Sequence, residues 1–139
     1  FGHGFTYSAH PIACAAALAT LDLMEGQNFV ARVAEDVGPY LQSKWKELED
    51  HPIVGHVRGI GMLGSIELVR DKNTRERLES DQKSGGICRE FCIKNNLIMR
   101  AVGDSMIISP PFVCSHGDID LLIERAKKSL DQTAAYYSV

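Results

Sequence analysis

Residues 54–69, with the sequence VGHVRGIGMLGSIELV, carry a strand pattern that sets the fold class of the chain. Val54 and Val57 are separated by less apolar residues, and residues 62–69 alternate through Ile66 and Leu68. Such alternation has the two-residue period of a strand with one buried face. The interspersed glycines indicate a connection between two strands. We therefore predict two strands, joined around Gly59, Gly61 and Gly64.

The same segment, Gly59-Ile60-Gly61-Met62-Leu63-Gly64, matches the dinucleotide-binding fingerprint G-x-G-x-x-G letter for letter. That fingerprint requires a helix to begin at its third glycine, so that a pyrophosphate meets the helix N-terminus. Residues 65–69 alternate as a strand does instead. The sequence therefore favours a glycine-rich strand connection over a nucleotide site.

The residues after this pair predict a second strand pair flanked by helices. Residues 71–83 are charged and should lie on the surface, and the apolar positions of 87–92 predict a helix that ends at residues 95–96. Strands at 97–101 and 106–109 follow, joined by a turn at Gly103-Asp104. Ser115 and Asp118 form a capping-box pattern before an amphipathic last helix. We predict an α/β chain with a small α+β domain, whose mainly antiparallel sheet carries its helices on one face.

Two helices are predicted before residue 51. Pro11 suits the first position of a helix, and residues 13–24 are apolar nearly all round, which indicates burial against a large body or a partner subunit. Gly26 can end this helix and Asn28 can cap the next one. The second helix has apolar residues every three or four positions as far as Leu48. We expect a kink or a break at its Gly38-Pro39 pair.

Composition limits the classes of function. The chain has 139 residues, 45% apolar residues and a net charge of -3, with acids and bases scattered along its length. No basic block indicates a nucleic-acid partner, and no apolar run is long enough to span a membrane. We expect a cytoplasmic protein with reduced cysteines. Cys88 and Cys92 share a helix face, but we favour buried apolar residues over zinc ligands because the sequence places no second pair beside them.

The chain begins with Phe1 inside a glycine-rich loop, which we interpret as the continuation of a longer polypeptide. Small residues and hydroxyls in GHGFTYS, residues 2–8, can present N–H and O–H groups to a phosphate. Composition alone favours ordinary turn chemistry for this loop. Structural roles are likewise favoured over ligand roles for His3 and His10.

Arg100 stands in LIMRAVGD, residues 97–104, within an otherwise apolar strand. An arginine there has a planar fork that can bind a carboxylate through two hydrogen bonds. The carboxylate is either an acidic side chain or a substrate. From the strand alone, the structural ion pair is the favoured interpretation.

Four segments together resemble one family along essentially the whole chain. They are HGFTYSAHP (residues 3–11), VRGIG (57–61), RAVGD (100–104) and ISPP (108–111). The chain resembles the C-terminal third of a class III, fold-type I, pyridoxal-phosphate-dependent aminotransferase. It is similar in particular to the omega-transaminases that use pyruvate as acceptor.

The resemblance implies specific roles for three residues. Thr6 would bond the phosphate of pyridoxal 5'-phosphate across the interface of a homodimer, with Phe5 beside it, and Arg100 would bind the carboxylate of the keto acid or amino acid. The substrates implied are small amines and keto acids. Residues 1–27 would end the large cofactor-binding domain, and residues 28–139 would form the small domain with its linking helix.

No catalytic residue is assigned within this chain. In the resembled family the Schiff-base lysine and the aspartate that pairs with the pyridine nitrogen both lie upstream of the loop, so the fragment alone should be inactive. The family usually has glycine where this chain has Ala9. If this position needs a positive φ, alanine costs about 1 kcal/mol.

The alternative to a transaminase fragment is a stand-alone, non-catalytic α/β ligand-binding or interaction module built on the elements after residue 51.

Overall fold

The computed structural model describes residues 2, 4–79, 81 and 83–139. Helix α1 is followed by a long, interrupted helix, and the sheet and two further helices come after it. The elements are α1 (Pro11–Gly26), α2 (Phe29–Arg32), a π-helix (Val33–Val37), α3 (Gly38–Lys46), a 3-10 helix (Glu47–Asp50), β1 (Val54–Ile60), β2 (Leu63–Leu68), α4 (Ser84–Lys94), β3 (Arg100–Val102), β4 (Ser105–Ile108) and α5 (His116–Tyr137).

The four strands form one sheet in the order β1-β2-β4-β3, and every neighbouring pair is antiparallel. Strands β1 and β3 are therefore the two edges. A bulge between Val54 and His56 shifts the pairing of β1 with β2. The strand order places β4, and not β3, beside β2.

One face of the sheet is buried under helices. Val57, Ile66 and Met106 point to this face and are at most 7% exposed. Helix α3 packs on β1, α4 packs on β3 and β4, and α5 packs on α3 and α4. Trp45 of α3 is fully buried in this layer. The prediction of an antiparallel sheet with its helices on one face is confirmed.

The second predicted helix is interrupted where its sequence contains Gly38-Pro39. A π-helix at Val33–Val37 separates α2 from α3. Pro39 has no N–H to donate to the carbonyl four residues earlier, and a Cβ at Gly38 would lie 2.2 Å from the carbonyl oxygen of Val33. The predicted break is confirmed, and the close approach at position 38 allows only glycine without a shift of the backbone.

Helix α1 has no buried residue in this chain. Four of its large apolar side chains are more than half exposed, namely Ile12, Leu18, Leu21 and Leu23. The expected burial is therefore not provided by the described residues, and an apolar helix surface remains open. Gly26 ends this helix as predicted.

Two local predictions differ from the structure. Asn28 precedes α2 with a φ of 50° and makes no capping hydrogen bond through its side chain, so the backbone turn and not the amide begins that helix. The predicted strand at 97–101 starts only at Arg100. Asn96 takes a φ of 56° and the N–H of Leu97 bonds to the carbonyl of Cys92, so this segment closes α4 before the strand begins.

The remaining predictions for the second half of the chain hold. Ser115 and Asp118 form the reciprocal hydrogen bonds of a capping box at the start of α5. The charged segment 71–83 is exposed at most of its described positions, although Leu78 is buried, and Ser80 and Gln82 lie outside the described residues. No helix within the described part of the chain is long and apolar enough to cross a membrane.

Candidate functional site

The loop before α1 is a compact pair of turns held by Ser8. The N–H of Phe5 donates to Oγ of Ser8 at 2.8 Å, and the N–H of Ser8 donates to the carbonyl of Phe5 at 2.9 Å. The N–H of His10 then bonds to the carbonyl of Tyr7. Ser8 therefore uses its hydroxyl to shape the loop, a role that the sequence did not distinguish from ligand binding.

Thr6 lies at the outside of these turns. Its side chain is exposed, and its hydroxyl makes no hydrogen bond to a described residue. Phe5 is 73% exposed. Both side chains predicted to contact a cofactor are therefore presented at the surface, at the entrance to α1.

Ala9 has a φ of 60°, in the left-handed region. The condition stated for this position, a positive φ, is therefore met, and an L-residue here carries a strain of about 1 kcal/mol relative to glycine. His10 continues in extended conformation and precedes α1 without a capping bond from its side chain. His3 lies outside the described residues.

Arg100 is the first residue of the edge strand β3 and lies opposite Ile107. Its side chain is exposed and makes no ion pair with any described residue. The structural ion pair favoured from the strand sequence thus has no partner among the described residues. The guanidinium is available to a carboxylate from elsewhere.

The turn that follows Arg100 is fixed on α4. Gly103 has a φ of 58°, and the carboxylate of Asp104 accepts a hydrogen bond from Oγ of Ser84 at 2.6 Å. Arg77 lies 3.7 Å from the other carboxylate oxygen, and the N–H of Leu68 donates to the carbonyl of Asp104. These contacts hold the hairpin that carries Arg100.

The glycine-rich segment connects β1 to β2, as predicted. Gly61 turns with a φ of 53°, and the side-chain amide of Gln42 donates to the carbonyls of Gly61 and Leu63 at 2.9 and 3.1 Å. Gly64 lies inside β2 and not at the start of a helix. The dinucleotide interpretation therefore fails, because no helix N-terminus is present to receive a pyrophosphate.

Cys88 and Cys92 lie one turn apart on α4 and are both buried. The sulfur of Cys92 is 3.7 Å from that of Met99. The hydrogen bond with Cys92, together with burial, raises the pKa of Cys88, which keeps that residue a neutral thiol. These cysteines fill the core, as favoured from the sequence.

The described residues show no hydrogen bond or ion pair between Thr6 and Arg100, which belong to separate parts of the chain. Arg58 is exposed on β1 and was not among the site residues predicted from the sequence. The alternation along β1 places Val57 in the core and Arg58 on the opposite face.

Three comparisons with known proteins agree. Over 135 residues the chain is 53% identical to the putrescine–pyruvate aminotransferase of Pseudomonas aeruginosa, covering 97% of this chain and 29% of that protein. It is 36% identical to the mitochondrial gamma aminobutyrate transaminase 1 of Solanum lycopersicum, covering 96% of this chain and 26% of that protein. The fold matches the omega transaminase of Pseudomonas jessenii in complex with PMP, with a TM-score of 0.90, 32% identity, and coverage of 99% of this chain and 30% of that one.

The chain therefore spans less than a third of the length of these relatives. Residues 1–130 match the family model of class-III aminotransferases, which is nearly the whole chain. One family thus accounts for the sequence of the glycine-rich loop, for the antiparallel sheet and for the strand that presents Arg100. The chain belongs to the class-III aminotransferase family.

Proposed function

We propose that this chain is the C-terminal part of a pyridoxal-phosphate-dependent omega-transaminase, which moves an amino group from an amine or omega-amino acid to a keto acid such as pyruvate. Family membership and the 53% identity to a putrescine–pyruvate aminotransferase support this reaction. The single observation that carries it is the exposed guanidinium of Arg100, which has no acidic partner among the described residues.

Arg100 is proposed to bind the carboxylate of the keto acid. A bidentate arginine–carboxylate pair is strong and directional, so it can orient the substrate as well as hold it. The bonds of Asp104 to Ser84 and Arg77 fix the turn next to β3. The strand therefore offers its guanidinium from a rigid base, as precise orientation of a substrate requires.

The residues of the loop fit the proposed cofactor, pyridoxal 5'-phosphate. The hydroxyl of Thr6 is exposed and makes no hydrogen bond to a described residue, so it can donate to a phosphate oxygen. Phe5 would lie beside it. When bound, the cofactor supplies the electron sink that amino-group transfer requires. In this proposal Thr6 holds and orients the phosphate, and no residue of this chain moves the proton.

A homodimer and a division into residues 1–27 and 28–139 are part of the proposal. The open apolar surface of α1 supports both, because a helix of this composition needs a partner surface. The same surface argues against a stand-alone module. The four free cysteines suit a reducing compartment such as the cytoplasm.

The test compares keto-acid and aldehyde acceptors in the full-length enzyme. Arg100→Ala should lower kcat/KM for pyruvate about tenfold or more, because a charge-assisted bond is lost, and should change kcat/KM for butanal little. The matched control is Arg89→Ala, because Arg89 is also an exposed arginine but lies on α4 and not on β3. Equal losses with pyruvate and butanal would remove Arg100 from carboxylate binding.

A further inference from the structure

The interrupted helix, residues 29–46, holds the segment between β4 and α5 through one arginine. The guanidinium of Arg32 donates hydrogen bonds to the carbonyl of Phe112 and, at 2.6 Å, to the carbonyl of Cys114. The planar fork of an arginine suits two acceptors at once. Arg32 therefore fixes the backbone that follows β4 to the end of α2.

Two more side chains of the interrupted helix contact the start of α5. Oδ1 of Asp36 lies 2.8 Å from Nε2 of His116, and the hydroxyl of Tyr40 donates to Oδ1 of Asp120 at 2.7 Å. The ring of Tyr40 also stacks on that of His116, with centroids 3.9 Å apart. Arg32, Asp36 and Tyr40 together with their partners are called the clasp below.

The π-helix brings the three clasp residues of the interrupted helix onto one face. They are four residues apart, and in a regular α-helix each such step advances about 40° beyond a full turn. Tyr40 would then point about 80° away from Arg32. The π-helix at Val33–Val37 has wider turns with more residues in each, which offsets this advance. Residues on both sides of the break can therefore hold one segment of the chain.

The clasp fixes α2, which connects the two parts of the proposed site. Helix α2 has four residues, none of them buried, and a helix this short is unstable alone. The loop that carries Thr6 and α1 precede it. The clasped segment instead follows β4, whose Ile107 pairs with Arg100. Arg32 thus bonds the helix that follows the loop to the chain that leaves the strand beside Arg100.

We propose that Arg32 is a positioning residue for amino-group transfer, which keeps the loop that carries Thr6 in register with the strand that carries Arg100. Arg32 acts through the backbone at residues 112–114, and the π-helix sets the rotation at which it reaches that backbone. The inference rests on the roles proposed above for Thr6 and Arg100. It predicts a loss of kcat, because bound groups that are misaligned react slowly.

The test is steady-state kinetics of the full-length holoenzyme at saturating pyridoxal 5'-phosphate. Arg32→Gln should lower kcat about tenfold with pyruvate and equally with butanal, and should leave both KM values unchanged. Arg125→Gln is the matched control, because Arg125 is also half-buried and donates to a backbone carbonyl, that of Asn96, at 2.8 Å. That bond does not involve the interrupted helix, so the control should leave kcat unchanged.

A second pair of variants tests the clasp without changing Arg32. Asp36→Ala removes the partner of His116. Asp131→Ala removes the partner of His51, which belongs to another histidine–aspartate pair on α5 with a distance of 3.1 Å. Asp36→Ala should lower kcat about threefold with both acceptors, because the alignment becomes looser, whereas Asp131→Ala should not.

Deletion of Ala34 tests the π-helix itself. Ala34 is exposed, and its loss leaves one residue fewer between Arg32 and Gly38, as a regular helix requires. The buried Leu41 and Trp45 anchor α3 in the core, so the end of α2 has to turn. The value of kcat should fall about a hundredfold with both acceptors, the effect of a displacement of about 1 Å. A deletion variant with unchanged kcat would overturn the register role.

The outcomes separate this inference from the proposed function. A lower melting temperature of Arg32→Gln with unchanged kcat means that the clasp only stabilises the fold, which overturns the inference. A rise in KM for pyruvate alone assigns Arg32 to carboxylate binding and overturns it as well. The carboxylate role of Arg100 is tested by the selectivity of Arg100→Ala between pyruvate and butanal, so it can fail while Arg32→Gln still slows both acceptors equally. If the Ala34 deletion does not fold, the point variants decide.

Discussion

The hydroxyl of Ser84 donates a 2.6 Å hydrogen bond to Oδ1 of Asp104, and this bond joins the first turn of α4 to the turn between β3 and β4. Ser84 is fully buried, and the side chain of Asp104 is 9% exposed. A Cβ at Gly85 would lie 2.3 Å from the carbonyl oxygen of Gly103, so helix and turn are also in close contact. The hairpin that presents Arg100 is therefore fixed by a buried polar bond on a tightly packed base.

Asp104→Ala should lower the free energy of unfolding by about 1–3 kcal/mol, because the buried hydroxyl of Ser84 loses its acceptor. The KM for pyruvate should also rise, since the hairpin would hold Arg100 less firmly. Urea unfolding and steady-state kinetics of the full-length enzyme measure the two effects. Asp104→Asn keeps an acceptor oxygen and should lose less stability. An unchanged unfolding midpoint for Asp104→Ala would contradict the structural role.

Ala9→Gly should stabilise the protein, because Ala9 has a φ of 60° that glycine adopts without strain. The expected gain is about 1 kcal/mol, reduced somewhat by the greater freedom of glycine in the unfolded chain. Thermal unfolding of the holoenzyme measures it. The matched control is Ala17→Gly in α1, where the same change should cost about 1 kcal/mol. Losses at both positions would mean that the loop does not keep this conformation in the full-length protein.

Thr6→Ala should weaken retention of the cofactor by about ten- to a hundredfold, the effect of one hydrogen bond to a charged acceptor. Thr6→Ser keeps the hydroxyl and should restore most of the affinity. Release of the cofactor during dialysis, followed by its absorbance, gives the comparison. Ser8→Ala is a contrasting variant that tests the shape of the loop, because the hydroxyl of Ser8 accepts a hydrogen bond from the N–H of Phe5 within the loop. Equal cofactor affinity in Thr6→Ala and the unsubstituted enzyme would exclude Thr6 as a phosphate ligand.

The sequence predicted the elements of this fold better than their arrangement. Alternation through Ile66 and Leu68 identified β2, and the Ser115–Asp118 pattern identified the start of α5, because both signals are local. The pairing of the strands could not be predicted in this way. No local sequence pattern shows that β4 lies between β2 and β3, and the bulge before His56 changes the register by one residue. The alignment of Arg58 with Ser65, Ile107 and Arg100 across the sheet follows from both facts, so only the structure shows it.

The candidate site was predictable to a similar extent. The resemblance to a family with glycine at position 9 raised the question of a positive φ there, and the structure has one. For Arg100, the strand sequence favoured an ion pair, because an apolar strand does not show which acids surround it in space. The described residues supply no such acid. The role proposed for Thr6 involves a partner surface, which the sequence of this chain does not describe.

Helix α5 should lose helix content in acid through its capping box. Hydrogen bonds from the N–H and hydroxyl of Ser115 lower the pKa of Asp118 below its usual 3.8. Because the pKa of Asp118 is lower in the helical state, its carboxylate stabilises the helix fully above pH 3.8. This stabilisation is lost as the pH falls through the lowered pKa. Circular dichroism of a peptide of residues 112–139 measures the change.

The controls for this helix separate the cap from the other acids. Asp118→Asn should remove the acid-dependent loss, and Ser115→Ala should cost about 1 kcal/mol of helix stability at neutral pH. Asp131 lies in the C-terminal half of the same helix, where a negative charge is unfavourable to the helix dipole. Asp131→Asn should therefore leave the acid-dependent loss in place. An acid-dependent loss that persists in Asp118→Asn would assign it to another group.

Gly64→Ala tests the close-packing role of the glycine-rich segment. A Cβ at this position would lie 2.8 Å from Nε1 of Trp45 and 3.0 Å from Cγ1 of Ile108, so α3 would have to move away from the sheet. The expected loss is about 1–3 kcal/mol in urea unfolding, with a change in Trp45 fluorescence. Gly86→Ala in α4 is the control, because no atom lies within 4 Å of its Cβ. That change should stabilise the helix by up to about 1 kcal/mol. A Gly64→Ala protein of unchanged stability would show that β2 is not packed against Trp45 as described.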